Sequence, residues 1–438
     1  MTARRVPAGL PLVGDLPAYL SDRLAYFAAR GNGSGPIVRC RLAGDGYLLN
    51  EPEDIRHVLV RNEANYVKSR RVTGPRAEYP SPRSLLTSTG ADHRRRRLAL
   101  QGIFRRPLVE RLVDTARANA GRLAESWRDG AEVDVGEAMT ALAQRNILET
   151  LLGSASEEQL DRLAAATAAR RRAFERHFVS VFPLLEYVPL RLNRDHLRVT
   201  RRLHAAIGSE IDARRAGAER PADLLSMLMD ATFDDGATMS DRELRQEVLT
   251  FSLTGYDSVS EALTWTLYLL AQNPEVDAAL AREALGASPS PQLPYATSVV
   301  RESLRLFPPT WIFVRIALGD DELPSGARIA ARAKVYLCPY VVHRDPRHWP
   351  EPARFLPDRF ADGAANGRPR YAYFPFGGGT HVCIGESLAM AQIVTVLATL
   401  AARHRLTLTP NREVLPEGGL SLRPKEPLRM RVEPRAPF

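Results

Sequence analysis

The sequence predicts a mainly α-helical fold with small β-sheets. Helical spacing of apolar residues covers most of the chain from about residue 91 to 310, and again from 384 to 403. Alternating, β-type segments are confined to about 36–50, 311–342 and 406–432. No Gly/Ser/Pro-rich linker and no internal repeat divides the 438 residues. We therefore expect a single domain over residues 1–438.

The longest predicted helix begins after Ser240. Glu243 follows three residues later, which is the spacing of a capping box. The helix can run to Asn273, just before Pro274, a length of roughly 50 Å at 1.5 Å per residue. Its middle, from Val248 to Thr264, is apolar on nearly all sides, which predicts a buried central helix.

Shorter elements and connections complete the expectation. The predicted elements are a hairpin at Ile37–Leu49, short helices at Glu51–Val60 and Ala296–Leu306, strands at Ile312–Leu318 and Ala327–Val342, and short strands within Leu406–Val432. Proline-containing stretches predict long connections at Arg70–Leu85 and Phe178–Leu192. Long connections inside a compact protein tend to be functional.

Cysteine usage and the first residues restrict the class of protein. Cys40, Cys338 and Cys383 lie far apart, without CxxC or CxxCH. That pattern excludes a disulfide framework, a zinc ribbon and covalent c-type haem attachment, and it suits a reducing cytoplasm. Met1–Leu20 contains three prolines and no long apolar run, so we expect neither a signal peptide nor a membrane anchor.

The formal net charge is +9, and nearly all of the positive charge is arginine. The arginines are interspersed with acidic residues, and no nucleic-acid-binding motif accompanies them. We therefore expect no nucleic-acid partner.

One stretch, Phe376–Gly385, stands out chemically. It is a glycine-rich loop that ends in Cys383, at the start of a helix predicted over Ile384–Arg403. A helix N-terminus and free backbone N–H groups favour thiolate over thiol. From these residues alone, Cys383 is either a nucleophile or a metal ligand.

Four motifs, taken in their order, resemble the cytochrome P-450 superfamily over nearly the whole chain. They are Thr254–Ser258 in the central helix, Glu302–Arg305 on the next helix, Phe355–Phe360, and the Cys383 loop. The loop matches the family signature Phe-x-x-Gly-x-x-x-Cys-x-Gly at Phe376, Gly379, Cys383 and Gly385. The resemblance implies a triangular helical prism with haem b between the central helix and the Cys-loop helix.

In that family Cys383 is the proximal thiolate ligand of haem iron. A thiolate donates electron density to iron and favours O–O cleavage. Phe376, Gly379 and Gly385 belong to the cofactor-binding loop, whose small residues let the backbone approach the porphyrin. Cys40 and Cys338 are expected to be ordinary buried thiols.

The resemblance also implies cationic partners for the haem propionates. These are His93 and Arg97, four apart on one helix face, with Arg315 and His381. A second set, Glu302, Arg305 and Arg359, forms a structural network that holds the Cys loop in shape. For each of these residues alone, a solvated surface charge is the alternative.

On the opposite side of the haem, the resemblance places Thr254, Gly255, Asp257 and Ser258. Gly255 allows a local widening of the helix for dioxygen, and the acid–alcohol pair relays protons. Most of the family has threonine where this chain has Ser258, and alanine or glycine where it has Thr254. Serine keeps the hydroxyl but lacks the methyl group that restricts its rotamers. Ordinary helix polarity is the alternative for Asp257 and Ser258.

The expected members of the implied substrate pocket are mostly apolar, and none of them is charged. Its expected members are Val72, Leu85, Phe178, Phe182, Phe251, Thr254, Thr310, Trp311, Ile312, Phe313 and Leu420. Such a lining suits an apolar small molecule, although core packing explains many of these residues equally well.

The expected function is that of a haem-thiolate monooxygenase, activating O2 to hydroxylate or epoxidise an apolar small molecule in secondary metabolism. The alternatives are a haem-thiolate enzyme for coupling, cyclisation, desaturation or peroxide-driven oxidation, and a non-catalytic haem sensor. We expect a cytoplasmic monomer that receives NAD(P)H electrons from a separate ferredoxin reductase and ferredoxin.

An arginine cluster is the candidate docking patch for that ferredoxin. Part of Arg94–Arg96 is expected to face solvent, close to Arg105 and Arg106, and its charge would steer an acidic donor. A solvated arginine-rich face is the alternative.

Overall fold

A computed structural model describes residues 14–31, 35–42, 44–69, 84–153, 155–178, 191–217, 221–286, 293–361, 367–409 and 414–435. The predicted connections at 70–83 and 179–190 lie outside these ranges. Within the described residues, no helix is both long and apolar enough to cross a membrane.

The described part is mainly helical. Its α-helices are Leu16–Ser21, Arg23–Gly31, Pro52–Arg56, Gly90–Gln101, Arg106–Ser126, Val135–Leu151, Glu157–Phe178, Arg191–Ala216, Leu224–Asp230, Asp241–Gln272, Pro274–Gly286, Pro294–Leu306, Pro339–Val342 and Glu386–Ala401. A π-helical turn, His57–Arg61, continues the third of these. The mainly α fold class predicted from the sequence is confirmed.

The strands form small sheets. The largest has five strands, in the spatial order Ile37–Arg41, Asp45–Leu49, Lys334–Leu337, Phe313–Ala317 and Tyr66–Lys68. A three-stranded sheet joins Glu132–Asp134, Arg429–Pro434 and His404–Leu408, and two-stranded ribbons pair Asp321–Glu322 with Arg328–Ile329, and Pro416–Gly418 with Leu422–Pro424. The first hairpin was predicted; the strands at 66–68 and 132–134 were not.

The central helix, Asp241–Gln272, organises the core. Its N-terminus carries the predicted capping box, with Ser240 and Glu243 bonding each other's backbone N–H groups. The helix packs against Val135–Leu151, Pro294–Leu306 and Glu386–Ala401. Most of its middle is buried, as the apolar pattern predicted.

Two predicted boundaries were wrong. The strand expected over Ala327–Val342 is interrupted by a turn in which Arg332 has a φ of 66°. Its last part, Pro339–Val342, is a short helix, because Pro339 lacks an N–H and suits the first helical turn. The cysteine helix covers Glu386–Ala401, inside the expected 384–403, with Gly385 at its N-cap.

Candidate active site

A large internal cavity lies between the central helix, the strand Phe313–Ala317, the helix Gly90–Gln101 and the Cys383 loop. Its volume is about 1,610 Å³. Small-molecule pockets usually measure about 300–1,000 Å³. The cavity therefore has room for a porphyrin and a second molecule together.

The Cys383 loop is a tight backbone turn. The Cys383 N–H donates to Phe376 O at 3.0 Å. Gly379 has a φ of +67°, and a Cβ there would lie 1.8 Å from Leu59 O. Only glycine fits both the conformation and the close approach. The signature has glycine at this position because the loop packs closely against the π-helical turn His57–Arg61.

The Cys383 side chain is exposed, and the surface it exposes faces the cavity. Enclosure by protein raises the pKa of the thiol, while the Gly385 N–H and the Arg97 charge act in the opposite direction. Enclosure therefore opposes the preference for thiolate that the helix position indicated. A bound metal ion deprotonates a coordinating thiol outright.

A buried ionic network lies behind this loop. Glu302 and Arg305, both 0% exposed, form two hydrogen bonds of 2.7 Å. Arg359 donates to the same carboxylate at 3.3 Å, and Leu356 N–H donates at 3.0 Å. The three residues expected to form a network are thus in contact.

His343 connects the network to the loop, and sequence reasoning missed it. Arg305 donates to His343 O at 2.9 Å, and His343 Nε2 accepts the Phe374 N–H at 2.9 Å. Phe374 lies two residues before Phe376, whose carbonyl holds the Cys383 N–H. Its sequence signal was only a lone histidine in a segment without a clear element.

Five basic side chains line one part of the cavity: His93, Arg97, Arg315, His381 and Lys68. His381 Nδ1 lies 3.1 Å from His93 Nε2, and Arg97 donates to Val382 O at 2.5 Å. Lys68 was missed by sequence reasoning. It pairs across strands with Arg315, and its Nζ donates to the carbonyls of Leu86 and Ser88.

Within the described residues, none of these five groups pairs with a carboxylate. Burial, together with the charge of Arg315, lowers the pKa of Lys68 to about 7. Burial and neighbouring cations lower the pKa of His93 to about 4 and that of His381 to about 2. The cluster is therefore destabilised by its own charge, and a dianion would relieve it. The two haem propionates fit this requirement, as Cys383 fits the iron.

The central helix forms the opposite wall with Thr254, Gly255, Asp257 and Ser258. The Asp257 carboxylate pairs with Arg171 Nε, and Glu261 lies 3.3 Å from the same guanidinium. Arg171 belongs to the helix Glu157–Phe178, and no sequence motif pointed to it. The acid expected to relay protons is thus held by an ion pair across two helices.

Gly255 is explained by helix packing. A Cβ there would lie 2.7 Å from Cγ1 of Ile147 on the neighbouring helix. Residues 241–272 are α-helical throughout, without a local widening in this structure. Thr254 Oγ1 bonds back to Thr250 O at 2.8 Å within the same helix.

Most of the expected pocket residues line the cavity. They are Leu85, Phe251, Thr254, Thr310, Trp311, Ile312, Phe313 and Leu420. Val72 and Phe182 lie outside the described residues, as does the side chain of Phe178. Trp311, which precedes the strand Phe313–Ala317, also donates its indole N–H to Gly419 O at 3.0 Å.

Part of the arginine patch faces solvent, as expected, and part of it does not. Arg96 is 3% exposed and bonds Glu243 and Asp92, so it is not available to a partner. Arg95 pairs with Asp235 at 3.0 Å and covers the Phe233 ring. Arg94 and Arg105 remain exposed. Arg96 follows the buried His93 by three residues, so both lie on the inward face of the helix.

Known proteins are similar to this chain over nearly its whole length. The family model "Cytochrome P450" matches residues 5–432. Cyclooctatin synthase of Streptomyces melanosporofaciens is 34% identical, over 98% of this chain and 95% of that protein. Cyclooctat-9-en-7-ol 5-monooxygenase of the same organism is 31% identical over 93% and 90%, and pentalenene oxygenase of Streptomyces avermitilis is 28% identical over 99% and 98%.

Solved structures agree on the fold. The cytochrome P450DA heme domain superposes with a TM-score of 0.87 at 22% identity, covering 98% of this chain and 97% of that one. The retinoic acid-bound cyanobacterial CYP120A1 gives 0.85 at 23% identity, with 98% and 99% covered. The family match over nearly the whole chain agrees with a cavity in which Cys383 can bind iron and the basic cluster can bind propionates. This chain therefore belongs to the cytochrome P450 family of haem b monooxygenases.

Proposed function

We propose that this chain hydroxylates a terpenoid, an apolar molecule of fused or large rings, in natural-product metabolism. The observation that supports the proposal is the lining of the cavity, to which Leu85, Phe251, Ile312 and Leu420 contribute apolar surface. The names of the relatives point to the same substrate class, because cyclooctatin synthase, cyclooctat-9-en-7-ol 5-monooxygenase and pentalenene oxygenase carry terpenoid names.

Haem b, when bound, supplies activation of dioxygen for insertion of one oxygen atom into a C–H bond. The residues of this chain do the rest. Lys68, Arg97 and Arg315 are placed to bind the propionates, and the apolar wall excludes water and orients the substrate. Asp257, which is ion-paired with Arg171, and Ser258 line the cavity on the same helix, and this acid–alcohol pair suits proton delivery to the reaction site.

The electron donors are proposed to be a separate ferredoxin and its reductase. The chain has three cysteines, fewer than the four that a ferredoxin-type cluster requires. Arg94, Arg105 and Arg106, the last paired with Glu110, are exposed cations that could meet an acidic donor. A monomeric, cytoplasmic protein is part of the proposal, supported by free thiols at Cys40 and Cys338.

The test uses haem-loaded protein, a ferredoxin–reductase pair and a panel of cyclic sesquiterpenes and diterpenes. Substrates are first found by their shift of the haem spin state and then incubated under ¹⁸O2. The proposal expects an alcohol that carries one labelled oxygen. A product without label, such as a new alkene or a coupled dimer, would favour desaturation or coupling instead. Absence of any spin-state shift across the panel would contradict the substrate class.

A further inference from the structure

Glu247 is a carboxylate inside the apolar core that the motifs do not explain. It lies on the central helix, two turns before Thr254, and is 0% exposed. Both of its oxygens accept the backbone N–H of Leu85, at 2.9 and 3.1 Å. Burial raises the pKa of Glu247 to about 7, so its contacts must offset a substantial cost of enclosing it.

The accepted N–H belongs to a tight turn over residues 84–88. Ser84 O accepts the N–H groups of Thr87 and Ser88. Leu85 and Leu86 in this turn line the cavity. On the carbonyl side of the turn, Lys68 Nζ donates to Leu86 O at 2.7 Å and to Ser88 O at 3.2 Å.

The cavity-wall turn is thus held between an acidic and a basic side chain. Glu247 accepts the N–H at its beginning, and Lys68 donates to the carbonyls at its end. Each charge suits the backbone group that it meets, since N–H groups carry positive and carbonyls negative partial charge. Lys68 in turn belongs to the basic cluster on the haem side of the cavity.

A second contact links Glu247 to the helix Gly90–Gln101. Arg96 Nη1 lies 3.4 Å from Glu247, while its other nitrogens bond Glu243 at 2.9 Å and Asp92 at 3.1 Å. This helix carries the cavity-lining His93 and Arg97.

We propose that Glu247 is a positioning residue, which fixes the Leu85 turn against the central helix and thereby sets the shape of the substrate wall. The carboxylate touches neither substrate nor cofactor. It acts through Leu85 and Leu86, whose side chains meet the bound molecule, and through Arg96, which fixes the helix that carries the propionate-binding side chains. We call the contact of Glu247 with the Leu85 turn the clamp. The effect of the clamp on substrate selection rests on the proposed function, whereas the clamp itself does not.

The first test measures the clamp by amide hydrogen exchange, in a peptide that covers residues 84–89 of full-length protein. Glu247→Gln keeps one acceptor oxygen and removes the charge, while Glu247→Leu removes both. We expect exchange of this peptide to accelerate about tenfold to a hundredfold in Glu247→Leu, with a smaller rise in Glu247→Gln, because a hydrogen bond to a charged acceptor is lost.

Glu243→Gln is the matched control. It also removes a carboxylate charge beside Arg96, but it retains the helix cap and leaves the Leu85 N–H bonded to Glu247. Exchange at 84–89 should therefore stay near wild type. Equal acceleration in Glu243→Gln, or acceleration spread evenly over the whole chain in Glu247→Gln, would overturn the proposal. If Glu247→Leu does not fold, Glu247→Gln decides alone.

The second test uses two iron-binding probes, imidazole and 4-phenylimidazole, titrated spectrally into haem-loaded protein. The two probes share the iron-binding imidazole and differ only in the apolar phenyl group. We expect Glu247→Gln to change the ratio of the two Kd values severalfold, and Glu243→Gln, which loses an Arg96 contact but keeps the Leu85 contact, to change it much less. An unchanged ratio in Glu247→Gln would refute the effect on the wall. A wild-type protein that binds no haem would instead refute the proposed function, while the exchange test still decides on the clamp.

Discussion

Replacing Glu302 by glutamine should destabilise the protein more than any surface substitution of the same kind. Glu302 accepts four hydrogen bonds, from Arg305 at 2.7 and 2.7 Å, from Arg359 at 3.3 Å and from Leu356 N–H at 3.0 Å. Glutamine keeps the shape but leaves the guanidinium of Arg305, 0% exposed, without an anion.

Breaking a buried ion pair by removing one partner costs about 3–5 kcal/mol. That is a large share of the roughly 5–15 kcal/mol that holds a typical domain folded. Arg305 keeps its bonds to the carbonyls of His343, Pro352 and Arg354, so we expect the lower half of that range.

The assay is urea unfolding of the haem-loaded protein, followed by circular dichroism and by the Soret band. The matched control is Glu351→Gln, whose carboxylate is 58% exposed and pairs with Arg354 at the surface. It should change the free energy of unfolding by less than about 1 kcal/mol. A Glu302→Gln variant within about 1 kcal/mol of wild type would refute the reasoning.

Three further changes probe the site. Gly379→Ala should abolish thiolate ligation, because the new Cβ would lie 1.8 Å from a backbone oxygen. The control Gly367→Ala, with a φ of +95° and open space around it, should cost only about 1–2 kcal/mol of unfolding free energy. Equal spectra of the reduced carbon monoxide complex in the two variants would contradict this. Lys68→Met should speed haem loss to apomyoglobin, and its haem-free form should lose stability relative to wild type as pH rises from about 7, since the lowered Lys68 pKa makes the wild-type charge a cost that disappears over that range; haem loss as slow as in wild type would disprove a propionate role. Asp257→Asn should lower the amount of product per NADPH consumed by about tenfold or more. Glu261→Gln, which changes the other carboxylate that contacts Arg171, should lower it much less. Equal yields in the two variants would count against a proton relay.

The sequence was sufficient wherever a local pattern carries the information. The capping box at Ser240 and Glu243 places the start of the central helix, and the apolar run after it predicts burial. The Glu302–Arg305 pair has helical spacing, and the Cys383 loop has its glycines at fixed offsets. These features depend on neighbours along the chain, so one sequence contains them.

The residues that were missed depend on contacts between distant segments. Lys68, Arg171 and Glu247 each meet partners on other helices or strands, and charge alone does not indicate which face of an element is buried. Arg96 shows the same limit in reverse. Its position in a run of arginines predicts exposure to solvent, but its side chain is buried and contacts three carboxylates on two helices.

The most direct test of the account is the spectrum of the reduced carbon monoxide complex in two cysteine variants. Wild-type protein and Cys338→Ser, which changes a buried thiol away from the site, should both show the long-wavelength Soret band of thiolate ligation. Cys383→Ser should lose that band while it remains folded. Survival of the band in Cys383→Ser, or its absence from haem-loaded wild-type protein, would contradict the assignment of Cys383 as the ligand.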